Sequence, residues 1–173
     1  MPRRAYLLLL LGALVLATFA YANWPAAELP QNTTADAVLV EKSARRLTLL
    51  RDGQPLKTYR VSLGRQPRGP KVQEGDHRTP EGAYMIDYRN AASGYHRALH
   101  VSYPDADDVA RAQMLGVSPG GDIMIHGIRN RFGWLGRLHR LADWTQGCIA
   151  VTNPEIREIW RAVPDGTRIE IRP

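Results

Sequence analysis

The chain has 173 residues, with 23 Lys and Arg against 17 Asp and Glu, so its formal net charge is +6. Its pI of about 9.8 favours an anionic partner or surface over a cationic one. A single cysteine, Cys148, excludes an internal disulfide, and no internal repeat or low-complexity tract breaks the sequence.

Met1-Pro2-Arg3-Arg4 precedes an apolar run from residue 5 to residue 22. Arginines ahead of such a run mark an N-terminal export segment and place the rest of the chain outside the cytoplasm. As a helix the run spans ~27 Å, close to the ~30 Å of a bilayer core. Ala20-Tyr21-Ala22 also forms an A-x-A site, cleavable after Ala22. Residues 1–22 therefore serve either as a cleaved signal or as a retained anchor giving membrane association through residues 5–22, and the sequence supports both equally. Export makes nucleic acid an improbable partner, so anionic envelope polymers or lipid headgroups suit the charge better, beside a basic face that is merely solvated. Residues 23–37 are rich in Pro, Ala and small polar residues and read as a linker. Residues 38–173 have the size of one domain.

Within that domain, residues 38–42, 46–51, 58–63, 83–88, 98–103, 122–126, 148–151 and 168–172 read as short strands, with Asp52-Gly53 as a hairpin turn. Residues 64–80 carry glycines, prolines and charges and read as loop. A short helix follows Asp105, with Asp107 and Asp108 in its first turn and Gly116 at its end. A second is capped by Asn153 with Pro154 at its first position, and Ile156, Ile159, Trp160 and Val163 form one apolar face. Many short strands and two short helices predict a mainly β domain; strands and helices do not alternate as a parallel α/β sheet would require.

The chemistry concentrates on Cys148, in Asp143-Trp144-Thr145-Gln146-Gly147-Cys148-Ile149, and on His126 in Met124-Ile125-His126-Gly127. A lone exported thiol is either buried and inert or kept for reaction. His126 and Cys148 both fall at predicted strand ends, which side-by-side strands would bring together. An imidazole within reach lowers a thiol pKa and can later protonate a leaving amine. A Gly127 carbonyl could fix the imidazole tautomer, Gly147 would let substrate approach the backbone, and the Cys148 N–H could hold an oxyanion. His139, between Arg137 and Arg140, competes as the base from an apparently exposed loop. A metal site fits poorly, because His77, His96, His100, His126 and His139 show no ligand spacing and no second cysteine exists.

These motifs resemble the L,D-transpeptidase catalytic domain family of the YkuD-like fold, in which His-Gly is followed by Ser/Thr-x-Gly-Cys-Ile. The block from Asp143 to Ile159 resembles the murein L,D-transpeptidase branch that includes YafK, and Arg78-Thr79-Pro80-Glu81-Gly82 and Ser102-Tyr103-Pro104 also fit. The resemblance implies a mainly β YkuD-like fold with two short helices behind an N-terminal apolar helix. It implies Cys148 as nucleophile, His126 as general base and acid, Gly127 as the orienting carbonyl, Gly147 beside the oxyanion, and no cofactor. The implied reaction is acyl transfer on peptidoglycan stem peptides through a thioester, in the periplasm or at the extracytoplasmic face of the cytoplasmic membrane, within cell-wall remodelling and cell shape. Water as acceptor would instead give carboxypeptidase or endopeptidase activity, and a wall-binding module with a vestigial Cys is the remaining reading. Many members carry Arg two positions after the Cys; here Ala150 stands there, leaving Arg129, Arg131 or Arg137 to replace it. Phe132, Trp134 and Trp144 suit either a substrate-covering flap or a local mini-core under the loop of residues 128–144.

Overall fold

A computed structural model describes residues 2–173. Helix α1 (Pro2–Asn23) precedes a mixed sheet of eight strands: β1 (Ala37–Glu41), β2 (Arg46–Arg51), β3 (Gln54–Arg60), β4 (Gly82–Asn90), β5 (Ala98–Val101), β6 (Met124–His126), β7 (Ile149–Ala150) and β8 (Arg168–Arg172). Their spatial order is β3-β2-β1-β8-β4-β5-β6-β7. Helix α2 (Ala106–Met114) links β5 to β6, and α3 (Asn153–Ala162) links β7 to β8. The mainly β architecture expected from the sequence is the one found.

The alternation in Arg168-Ile169-Glu170-Ile171-Arg172 sends both isoleucines inward and the charges out. β8 pairs parallel with β1, matching Val38 to Ile169 and Val40 to Ile171, so the four side chains share one buried face. Leu47 and Leu49 of β2 extend that face, and Ile156 and Ile159 from α3, with Val163 just beyond its end, cover it. Such side chains contribute roughly 1.5–3 kcal/mol each when fully buried.

β3 begins earlier than the expected residues 58–63. Asp52 and Gly53 both take positive φ, +51° and +73°, which suits a two-residue turn matched to strand twist. The strand therefore starts at Gln54, and Pro55 is tolerated because β3 is a sheet edge. Residues 61–63 leave that ladder and turn towards the Cys block: Ser62 bridges Ala150 and Gly64 bridges Thr145. Pairing far along the chain, not local pattern, decides where this strand ends.

The loop of residues 64–80 is tied down by two charged groups, the buried Lys42 and the half-buried Asp76. Lys42 Nζ donates to the carbonyls of Gly69 (2.6 Å) and Thr79 (2.8 Å) and to Glu81 (2.8 Å). Burial lowers the Lys42 pKa, against the pull of Glu81. Asp76 accepts from the backbone N–H groups of Val72 and Arg78 and pairs with Lys71 at 2.9 Å. Thr79, in the Thr-Pro-x-Gly element, accepts from the Gly64 N–H. The loop is thereby held as a wall.

Helix α1 contains an apolar stretch, Tyr6–Asn23, long enough to cross a membrane, with a mean hydropathy of 1.9. The residues after it lie against the domain: Lys57 reaches the Ala27 carbonyl, and Arg161 donates to the Leu29 carbonyl at 2.9 Å.

Candidate active site

β6 ends on His126, and β7 lies parallel beside it, pairing Ile125 with Ile149 and His126 with Ala150. Parallel neighbours need a long crossover, and residues 127–148 provide it. This is how two residues 22 positions apart come to line one cleft of about 680 Å³. Tyr95, Trp144, Lys71, Arg65 and Arg129 share that lining.

The His126 ring is buried between Tyr95 (centroids 4.5 Å apart) and Trp144 (5.7 Å). Its Nδ1 lies 2.6 Å from the Gly127 carbonyl oxygen. A carbonyl only accepts, so Nδ1 carries the proton and Nε2 presents a lone pair. Gly127 has no room for a side chain: a Cβ there would sit 2.8 Å from Asn153 Oδ1 and 2.9 Å from the Tyr95 carbonyl. Asn153 Oδ1 instead accepts the Ile128 N–H at 2.9 Å. Thr152 is accordingly the N-cap of α3, one residue earlier than expected, and Glu155 reaches back to accept from its N–H at 2.9 Å.

The turn bearing Cys148 is templated by Thr145, whose Oγ1 accepts from the Gly147 N–H at 3.1 Å and donates to the Cys148 carbonyl at 2.7 Å. Gly147 takes φ +130°, and a Cβ there would fall 2.6 Å from the Arg78 carbonyl oxygen. Its α-carbon is thus packed against the neighbouring loop and not open to substrate, and its N–H is spent on Thr145. Backbone packing is therefore one physical reason for a glycine at this position. Asp143 fixes the approach to this turn by accepting from the Leu63 N–H at 2.8 Å and pairing with Arg45.

The thiol does not behave as proximity to an imidazole alone suggests. Burial raises the Cys148 pKa above its ordinary value, with the Met124 backbone pulling slightly the other way. Burial also depresses His126 to about 4, opposed by its bond to Gly127. Burial thus favours the neutral form of both groups across the shared cleft over a preformed ion pair, and the thiol's own contact is the Asp122 carbonyl at 3.5 Å.

His139 is buried, not exposed as its flanking arginines suggest, and does not line the cleft. Its Nδ1 accepts from Trp144 Nε1 at 3.3 Å and lies 3.4 Å from Ser62 Oγ. It supports Trp144 from behind. Burial depresses it too, to about 4, aided by Arg140 and opposed by Glu155. Among the arginines considered, Arg129 lines the cleft, whereas Arg137 turns away to the Trp24 carbonyl at 3.0 Å. Ala150 is buried at the Ser62 bridge. Of the three aromatic residues considered for a flap, only Trp144 lines the cleft. Residues 128–144 are not simple loop: they contain a 3₁₀ segment, Gly133–Leu141, broken at Gly136. Tyr95 had no sequence signal beyond being aromatic in a turn.

The two histidines make acid stability testable. An unfolded chain protonates both near pH 6.5, the folded one only near 4, so the unfolded state binds more protons between those values. Their contribution is complete above pH 6.5 and is lost as pH falls towards 4, on the order of 3 kcal/mol for each. Glu155 and Asp76, whose values are depressed, add losses only in the carboxylate range below. Urea melts should thus weaken steadily from pH 6.5 to 5, and His139→Gln should flatten part of that slope. Constant stability down to pH 5 would contradict the neutral, buried assignment.

Residues 35–171 match the L,D-transpeptidase catalytic domain family, YkuD, and the chain belongs to that family. "Putative L,D-transpeptidase YafK" of Escherichia coli is 30% identical over 113 residues, covering 64% of this chain and 38% of YafK. "Putative L,D-transpeptidase YqjB" of Bacillus subtilis is 28% identical over 152 residues, covering 86% of this chain and 77% of YqjB. The helical cell shape determining protein Pgp2 of Campylobacter jejuni shares the fold, with a TM-score of 0.61 and 24% identity over 89% of this chain and 53% of that one. The chain thus spans well under half of YafK and about half of Pgp2.

Proposed function

We propose that the protein is an exported L,D-transpeptidase acting on peptidoglycan stem peptides through a Cys148 thioester, in wall remodelling that affects cell shape. The observation that carries this reading is the parallel β6–β7 pair, which delivers His126 and Cys148 to one cleft with the imidazole tautomer pinned by Gly127. Cys148 Sγ attacks the stem-peptide carbonyl while His126 Nε2 takes its proton. Because both groups rest neutral, this transfer accompanies attack and does not precede it. The Cys148 N–H, next to the attacking sulfur, faces the developing oxyanion. The C–N bond breaks as His126 returns the proton to the departing amine, leaving a thioester. An incoming amine then completes transpeptidation; water would complete hydrolysis at the same site. Arg65 and Arg129, both exposed on the cleft wall, offer cations to substrate carboxylates.

Intact-mass spectrometry of the full chain in detergent, after incubation with tetrapeptide muropeptides, tests this reading. One acyl adduct per chain and a cross-linked product with an added amine are expected. Carbapenems present a strained carbonyl to the same sulfur and should also leave one adduct, absent in Cys148→Ala. A chain that stays unmodified by both under prolonged excess would overturn the reading.

A further inference from the structure

We propose that α1 is retained and that the face of the domain around the 3₁₀ segment docks on the interfacial layer of the phospholipid bilayer that α1 crosses. This goes beyond the transpeptidase reading and does not depend on it. Side chains along α1, among them Leu8, Leu10, Leu14, Leu16 and Phe19, are more than half exposed, so the protein itself does not cover them. A hydrocarbon core is the medium such a surface requires.

The end of that helix is built into the domain. Ala22 is only 2% exposed. Its carbonyl oxygen lies 2.2 Å from where a Cβ on Gly136 would stand, so only glycine admits the approach. Gly136 is also the break in the 3₁₀ segment, at φ +46° and ψ −130°. Arg137 donates to the Trp24 carbonyl at 3.0 Å and to the Tyr21 carbonyl at 3.5 Å, satisfying acceptors that a helix end leaves open. Asn23 Nδ2 donates to the Trp134 carbonyl at 3.1 Å. A strained glycine, an arginine and an asparagine side chain all serve one contact. A chain cut after Ala22 would lose the helical half of it.

Because the helix leaves the domain at this point, the membrane surface must pass beside it. The side chains waiting there are those of an interfacial belt: Trp24 is 68% exposed, Trp134 56% and Phe132 45%, with the exposed Arg131 among them. Indole and phenyl rings settle at headgroup depth, and guanidinium groups meet phosphates. Neither Phe132 nor Trp134 lines the catalytic cleft, which leaves them without a role there. The segment they flank belongs to the crossover from His126 to Cys148, so docking would hold the cleft at a set height above the bilayer.

The full chain in nanodiscs of phosphatidylethanolamine and phosphatidylglycerol with brominated acyl chains tests this through tryptophan quenching. The chain has four tryptophans, Trp24, Trp134, Trp144 and Trp160. Trp134→Phe should remove about half of the quenchable emission, with Trp24 supplying the rest, whereas Trp160→Phe should leave the quenchable part unchanged. Quenching unaltered by Trp134→Phe would overturn the docking. Quenching of Trp134 only in discs that hold two chains would overturn it too, by making a second copy the occupant. The mass of the chain isolated from membranes should include α1; a mature chain starting at Asn23 would overturn its retention. None of these readings uses activity, so they stand or fall apart from the enzyme assignment.

Discussion

Cys148→Ala should lower turnover of muropeptides by at least ~10³-fold and leave the unfolding transition nearly in place. The loss is large because the thioester route has no substitute: no second cysteine exists, and water is a far weaker nucleophile than the thiol for the first attack. The fold is spared because little rests on the sulfur. Its hydrogen bond is a long one, 3.5 Å to the Asp122 carbonyl, and the turn is held instead by Thr145 Oγ1. Removing one sulfur atom at the wall of an open cleft leaves little sealed void, so a cost of about 1 kcal/mol is expected. Thermal unfolding and muropeptide assays on one preparation separate the two effects. Activity within about threefold of wild type would rule out the covalent route.

Part of this candidate site is legible in the sequence, for a physical reason. Gly127 and Gly147 are places where backbone or side-chain atoms come within 3 Å of a missing Cβ, and such demands leave glycines beside His126 and Cys148. The strand that alternates cleanly, residues 168–172, also read correctly, because both of its faces are set by burial. What stayed hidden depends on contacts between distant segments. Tyr95 against His126, His139 behind Trp144, and Ser62 against Ala150 each join parts of the chain more than four residues apart, with no local periodicity to announce them. His139 misled because its arginine neighbours suggest solvent, whereas Arg140 is itself drawn inward by Glu155. The shift of the α3 cap from Asn153 to Thr152 has a similar origin. Asn153 is committed to the backbone beyond His126, so the cap falls to the residue before it.

The two buried histidines should separate sharply in kinetics. His126→Ala is expected to reduce kcat/KM by at least ~10²-fold, the usual cost of a lost general base and acid, and to change the shape of the pH profile. In the wild type the base is already neutral above its value of about 4, so activity should be flat through neutral pH and fall only as acid protonates the imidazole. Without His126 the thiol must ionise unaided. Since burial holds its pKa above the ordinary value, the residual rate should climb with pH by about tenfold per unit across the neutral range. His139→Ala should keep the flat profile and lose less than about tenfold, because its ring touches Trp144 and Ser62 and lies off the cleft. Rates taken within seconds of a pH jump avoid the acid unfolding that both histidines promote. If His139→Ala were the variant with the climbing profile and His126→Ala stayed flat, the proton would pass through the wrong ring for this mechanism, and Gly127 would be orienting a bystander.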